Sequence, residues 1–96
     1  MVQKSAIICA EVQGRTLTIY TNDKQIATTN KSLSALMEEM KSKTFLKVSK
    51  SGMLNIQMID RVEPSFSGNL IARMKNDKKI SISRRYVGAL KERLGI

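Results

Sequence analysis

The chain has 96 residues, which is enough for one domain with a single modest hydrophobic core, because short chains bury a smaller share of their surface. Seventeen Lys and Arg against eight Asp and Glu give a formal net charge of +9, so polyanions are the natural partners. Histidine and tryptophan are absent and there is one cysteine, which excludes zinc fingers and the Ser-His-Asp and Cys-His catalytic arrangements. We therefore expect one domain over residues 1–96 with no catalytic residue, no metal site and no cofactor.

The chain opens with a predicted three-stranded meander. Residues 6–11 and 15–21 are rich in apolar side chains, and the segment 12–14 between them ends in a glycine, which is typical of a β-hairpin. Asn22-Asp23 predicts a tight turn, after which residues 24–29 can return as a third strand. Cys9 lies in the first apolar run and is predicted to be a buried thiol.

The spacing of apolar residues then changes to that of a helix. Between Leu33 and Met40 they recur every three or four residues, behind Ser32, a residue type that suits the N-cap. This stripe could bind a partner, but a short helix in a small domain needs it for the core. Further strands are predicted over residues 45–48, 53–56 and 59–63, with a clear loop at 64–68.

The last part of the chain predicts a second hairpin and a terminal helix. Residues 69–75 and 79–83 flank Asn76-Asp77-Lys78, whose residue types tolerate left-handed backbone. The helix that follows can be capped by Ser83 and stopped by Gly95. The whole pattern predicts a β-rich α+β domain with seven or eight short strands, one internal helix and one C-terminal helix.

Basic and hydroxyl side chains are concentrated at predicted turns and strand ends, where loops present them outward. Lysine together with serine suits phosphate oxygens, and an arginine at a helix start can fork onto a guanine edge or a phosphate. The alternative is an ordinary solvated basic surface. The candidate residues for binding nucleic acid are Arg15, Lys47, Ser49, Lys50, Ser51, Arg84 and Arg85.

Other functions have less support in the sequence. The acidic pairs Glu38-Glu39 and Asp60 with Glu63 fit solvated faces, and there is no glycine-rich phosphate loop. The four aromatic residues are dispersed, which disfavours a platform for stacking single-stranded RNA. A module that docks an acidic protein and binds nucleic acid only nonspecifically remains open. With no apolar run of about 20 residues and no signal-peptide pattern, we expect no membrane insertion and a cytoplasmic location.

Two stretches of the sequence resemble the LytTR family of DNA-binding domains. Residues 45–55 read F-L-K-V-S-K-S-G-M-L-N, where the family commonly has F-x-R-V-H-R-S-x-x-V-N. Residues 82–91 read I-S-R-R-Y-V-G-A-L-K, close to the family's V-S-R-R-Y-V-x-x-L-K. The chain departs from the family at Ser49, where histidine is frequent, and at Lys47 and Lys50, where arginine is common; lysine lacks the bidentate fork of arginine.

The resemblance implies an elongated arrangement of small, mostly antiparallel sheets whose loops enter successive major grooves of bent duplex DNA. The implied role is that of a response-regulator output domain in bacterial transcription control. The family's contact segments match Arg15, Lys50 and Arg85, while Lys47, Ser49, Ser51 and Arg84 lie in the same segments and suit phosphate contacts. The resemblance also implies Asn69 and Lys78 as weaker candidates. Implied partners are paired direct-repeat DNA sites, a second copy as a homodimer on DNA, and a receiver domain or regulatory protein outside this chain. Both a domain of a longer regulator and a stand-alone regulator fit this resemblance.

Overall fold

The computed structural model describes residues 6–22, 25–28, 31–40 and 44–96, which form two sheets and two helices. The elements in chain order are β1 (Ile7–Gln13), β2 (Thr16–Thr21), β3 (Gln25–Thr28), α1 (Leu33–Met40), β4 (Phe45–Ser49), β5 (Gly52–Asn55), β6 (Ile59–Pro64), β7 (Leu70–Met74), β8 (Lys79–Ile82) and α2 (Arg84–Leu94). Short 3-10 turns occupy Ile56–Met58 and Phe66–Gly68. The predicted α+β class is confirmed; Asp23, Lys24 and Thr29, in the predicted third strand and its turn, lie outside the described residues.

Neighbouring strands pair antiparallel in both sheets. The larger sheet has the order β3-β2-β1-β5-β4, and the smaller one has the order β6-β7-β8. Strand β1 therefore lies in the middle of the larger sheet and joins the N-terminal meander to the β4–β5 hairpin. Its residues Ile7 to Ala10 are all buried, because both faces of the sheet are covered.

One face of the larger sheet packs against α1. Leu33, Leu36 and Met40 of this helix are buried in a cluster with sheet residues that include Leu17 and Met53. The prediction that the helical stripe belongs to the core is thus confirmed. Ser32 caps the helix as predicted, since its Oγ accepts the Ala35 N–H at 3.1 Å.

The other face of the larger sheet packs against the smaller sheet and α2. This cluster includes Val48 and Leu54 of the larger sheet, Ile80 and Ile82 of β8, and Leu90 of α2. Cys9 is also buried here, as predicted, and burial raises the pKa of its thiol to about 12, with Glu11 adding to the effect and Lys78 opposing it.

The two ends of α2 are only partly as the sequence predicts. Gly95 ends the helix in the left-handed region at φ 76°, as predicted. Ser83 occupies the N-cap position, but its side chain makes no capping hydrogen bond, so the predicted capping by Ser83 is wrong in that respect. Asn69 supplies the acceptor instead: its Oδ1 receives the Arg84 N–H at 2.8 Å. The side chain of Asn69, in the loop that joins β6 to β7, therefore fixes the start of α2.

Candidate nucleic-acid interface

The β1–β2 turn and the β4–β5 turn lie side by side at one end of the larger sheet. Strand β1 runs toward this end and β5 starts there, with Glu11 opposite Gly52. The Val12 N–H donates to the Ser51 carbonyl at 2.8 Å, which ties the two turns together. Arg15 in the first turn, with Lys50 and Ser51 in the second, are exposed. Two segments that are far apart in the sequence thus present cations and a hydroxyl at one place.

The β4–β5 turn is held tightly on the core. The Ser51 N–H donates to Ser49 Oγ at 3.2 Å, so the Ser49 side chain shapes the turn. A Cβ built at Gly52 would lie 3.1 Å from Ser49 Oγ and 3.4 Å from Ile80 Cδ1, which leaves little room for any larger residue. Lys50 is therefore presented from a fixed backbone, which lowers the entropy cost of binding through it.

The start of α2 lies next to β4, the edge strand of the larger sheet. The Ser83 N–H donates to the Val48 carbonyl at 2.8 Å, and Arg84 and Arg85 follow directly. Both arginines are exposed. The first turn of α2 carries no acidic residue, so the partial positive charge of the helix N-terminus adds to that of the two arginines.

These groups follow one another across the end of the sheet, and we call them the basic edge. The strand order places the β1–β2 turn and the β4–β5 turn about 10 Å apart, given a strand spacing of about 4.8 Å. The start of α2 lies beyond them, past β4. The members of the basic edge are Arg15, Lys50, Ser51, Arg84 and Arg85.

The cations of the basic edge have no carboxylate partner within the described part of the chain. The ion pairs found there join Lys31 to Glu39, Arg61 to Asp60 and Glu63, and Lys78 to Glu11. The charge of the basic edge is therefore free to meet an external anion.

Two residues predicted from the sequence to bind nucleic acid, Lys47 and Ser49, are half-buried and are not part of the basic edge. Lys47 is half-buried in β4 opposite Met53, so it shares the face of the sheet that carries α1, whereas α2 lies on the other face. Ser49 lies beside the edge, where it is half-buried and its oxygen already accepts a hydrogen bond within the turn.

The two weaker sequence candidates have contacts within the fold. Asn69 caps α2. Lys78 Nζ lies 2.9 Å from Glu11 Oε1 and 4.5 Å from the centre of the Tyr20 ring, so it joins the β7–β8 turn to the larger sheet. The hydrogen bond to Glu11 is the main cause that raises the pKa of Lys78. Nothing in the local sequence around Asn69 or Lys78 signals these contacts, because both partners come from distant segments.

Sequence reasoning gave little weight to the β6–β7 loop, which flanks the start of α2. A Cβ built at Gly68 would lie 2.9 Å from Arg84 Cδ, so this loop packs directly on the Arg84 side chain. Phe66 in the same loop is 87% exposed.

No helix in the described ranges has the length and apolar content needed to span a bilayer. In those same ranges, no three Cys, Asp or Glu side chains come together as metal ligands would.

Comparison with known proteins gives a consistent set of similarities. The family model described as the LytTr DNA-binding domain matches residues 1–95. The sensory transduction protein LytT of Enterococcus faecalis is 29% identical over 96 residues, which are 100% of this chain and 39% of that protein. The sensory transduction protein LytR of Streptococcus agalactiae is 29% identical over 94 residues, covering 98% of this chain and 38% of that protein. The chain thus spans about two fifths of the length of these curated relatives.

A solved structure shares the fold. A LytTr DNA-binding domain from Bacillus cereus superposes with a TM-score of 0.86 over 99% of this chain and 86% of that one, at 19% sequence identity. The arrangement of two antiparallel sheets and two helices is therefore that of a solved LytTr domain.

Proposed function

Since this chain belongs to the LytTR family of DNA-binding domains, we propose that it recognises specific duplex DNA sequences as the output domain of a bacterial transcription regulator. The observation that carries the proposal is the basic edge, where exposed cations from three separate segments lie together without a carboxylate partner among the described residues. A polyanion with a regular spacing of charges is the ligand that such a row fits.

Phosphate contacts supply most of the affinity in this proposal, and a few side chains discriminate between bases. Arg85 is the leading candidate for a base contact, because a guanidinium at the start of a helix can donate two parallel hydrogen bonds to a guanine edge. Arg15 and Lys50 are candidates for base or backbone contacts from the two turns. The candidates for phosphate contacts are Ser51 and Arg84 on the basic edge. Lys47 and Ser49 are weaker candidates, because Lys47 lies away from that edge and the Ser49 oxygen already accepts a hydrogen bond within the turn.

The dimensions of the molecule support contacts in successive major grooves. The longest extent of the whole molecule is 34 Å, against a repeat of roughly 34–36 Å between equivalent grooves on one face of B-DNA, so a molecule of this size spans at most one such repeat. The two turns and the start of α2 follow one another along the end of the larger sheet, so in this proposal a duplex laid along the basic edge meets more than one of them. A bend of the DNA toward the protein would bring both outer members of the row into major grooves.

The proposal extends to the context in which the domain works. In this proposal the domain catalyses no reaction and acts in the cytoplasm. Two copies of it bind direct-repeat sites on neighbouring turns of the DNA. A receiver domain or regulatory partner outside these residues supplies control, which agrees with the greater length of the curated relatives.

Selection of bound duplexes from a random DNA pool tests this function. Binding of the selected duplex and a scrambled control is then measured across a salt series. Neutralising about six phosphates predicts a slope of log affinity against log salt near −5, and the selected duplex should bind orders of magnitude more tightly than the control. Equal binding of both duplexes with the same steep slope would reject sequence-specific recognition and favour a basic module that docks an acidic protein.

A further inference from the structure

Phe66 is an exposed aromatic side chain at a defined place in the fold. It is 87% exposed, the highest value for a large apolar residue in the described part of the chain. Single exposed apolar residues are common on protein surfaces, so exposure alone decides nothing. The surroundings of Phe66 are what point to a role.

The loop that carries Phe66 is closed by its own hydrogen bonds. The Ser65 N–H donates to the Asn69 carbonyl at 2.9 Å, and the Asn69 N–H donates to the Phe66 carbonyl at 3.0 Å. Ser67 lies in the left-handed region at φ 56°, which non-glycine residues adopt infrequently, and Gly68 follows at φ 83°. The hydrogen-bonded backbone holds the loop in place, so the loop itself does not have to be ordered when the ring is covered.

The same loop is fixed to the start of α2. Leu70 pairs with Ile82, so the β6–β7 loop lies beside the end of β8, where the chain enters α2. The hydrogen bond from the Arg84 N–H to Asn69 Oδ1 and the close approach of Gly68 to the Arg84 side chain join the two segments. Phe66 therefore adjoins the α2 end of the basic edge.

We propose that Phe66 is a DNA-contacting residue, whose ring packs against deoxyribose and base edges in the groove that Arg84 and Arg85 enter. This inference rests on the proposed function and adds an apolar contact to a surface otherwise made of cations. Duplex DNA offers apolar partners at its sugars and at the thymine methyl group. A second copy of this chain is a poorer partner for the loop, because each copy has a net charge of +9 and the neighbouring Arg84 and Arg85 have the same sign.

A single tryptophan gives a direct test of the contact. The chain contains no tryptophan, so Phe66→Trp creates one fluorescent reporter in the loop. Ile96→Trp is the matched control, because Ile96 is 81% exposed and follows the far end of α2. In a titration with the selected duplex, emission from Phe66→Trp should change with the same midpoint as binding, while emission from Ile96→Trp should not. A reporter at position 66 that stays unchanged while the protein binds the duplex would overturn the inference.

Phe66→Ala provides the energetic test. We expect affinity for the selected duplex to fall about tenfold, as for partial loss of one buried aromatic contact, with an unchanged salt slope because no charge is removed. Circular dichroism checks that the variant is folded. Wild-type affinity in Phe66→Ala would overturn the inference and leave the proposed function intact. A wild-type protein that binds no duplex would instead remove the proposed function and the inference together.

Discussion

The cap of α2 gives a sharp comparison of two substitutions. Asn69→Ala removes the oxygen that accepts the Arg84 N–H at 2.8 Å, whereas Ser83→Ala removes a hydroxyl that makes no capping hydrogen bond. Loss of a capping side chain costs about 0.5–2 kcal/mol. Since this hydrogen bond is solvent-exposed, we expect Asn69→Ala to lower the free energy of unfolding by about 1 kcal/mol and Ser83→Ala by less than about 0.5 kcal/mol.

Thermal and urea denaturation measure this difference. A loss of about 1 kcal/mol corresponds to a fall in Tm of roughly 4–8 °C for a domain of this size. Asn69→Ala should also weaken DNA binding, because Arg84 and Arg85 follow the cap that it removes. If Ser83→Ala destabilises the protein more than Asn69→Ala, the assignment of the cap to Asn69 is refuted. If Asn69→Ala weakens DNA binding without any loss of stability, Asn69 acts through a direct DNA contact instead.

Three further results are expected. Arg85→Ala should weaken the free energy of binding to the selected duplex by about 1–3 kcal/mol and relax discrimination at one base position. Lys91→Ala, near the other end of α2, should leave discrimination unchanged. Equal losses of affinity for the selected and scrambled duplexes would make Arg85 a phosphate contact. Stability should fall as the pH rises from 9.0, the usual pKa of a thiol, toward about 12, because the folded state keeps the Cys9 proton that the unfolded chain releases. Urea midpoints of Cys9→Ala should fall less steeply over this range and keep only the part due to other groups such as Lys78, whose pKa is also raised. Glu11→Gln should lower the free energy of unfolding by about 0.5–1 kcal/mol in thermal denaturation, because it removes the ion pair to Lys78; an unchanged Tm would show that this pair contributes nothing.

Local patterns in the sequence were sufficient to predict most of the secondary structure. Alternation and turn residues located the hairpins, and the helical spacing from Leu33 to Met40 located both α1 and the face that it buries. Gly95 marked the end of α2 because glycine adopts the left-handed backbone conformation of this position without strain. Each of these features depends on residues that are close together in the chain.

Contacts between distant segments were beyond the reach of the same reasoning. A serine before a helix predicts a cap, but the residue that caps α2 is Asn69, fifteen positions before Arg84. Lys78 is a basic residue in a turn, and only the packing of the two sheets brings Glu11 to it. The composition of the basic edge likewise depends on the pairing of β1 with β5 and on the position of α2 beside β4. Such pairings depend on strand register and topology, which short-range periodicity does not determine.

The hydrogen bonds that hold the basic edge together also constrain how it is made. One joins Val12 to Ser51 and another joins Val48 to Ser83, so the contacts close loops of several tens of residues. Local hairpins can form early, whereas such long-range contacts form late because the loop-closure entropy must be overcome first. On the ribosome, the β1–β2 hairpin and α1 would emerge well before α2, and a nascent chain would lack the assembled surface until Arg84 and Arg85 had left the exit tunnel. The complete binding surface would thus form only after the segment that contains Arg84 and Arg85 has been synthesised and has packed beside β4.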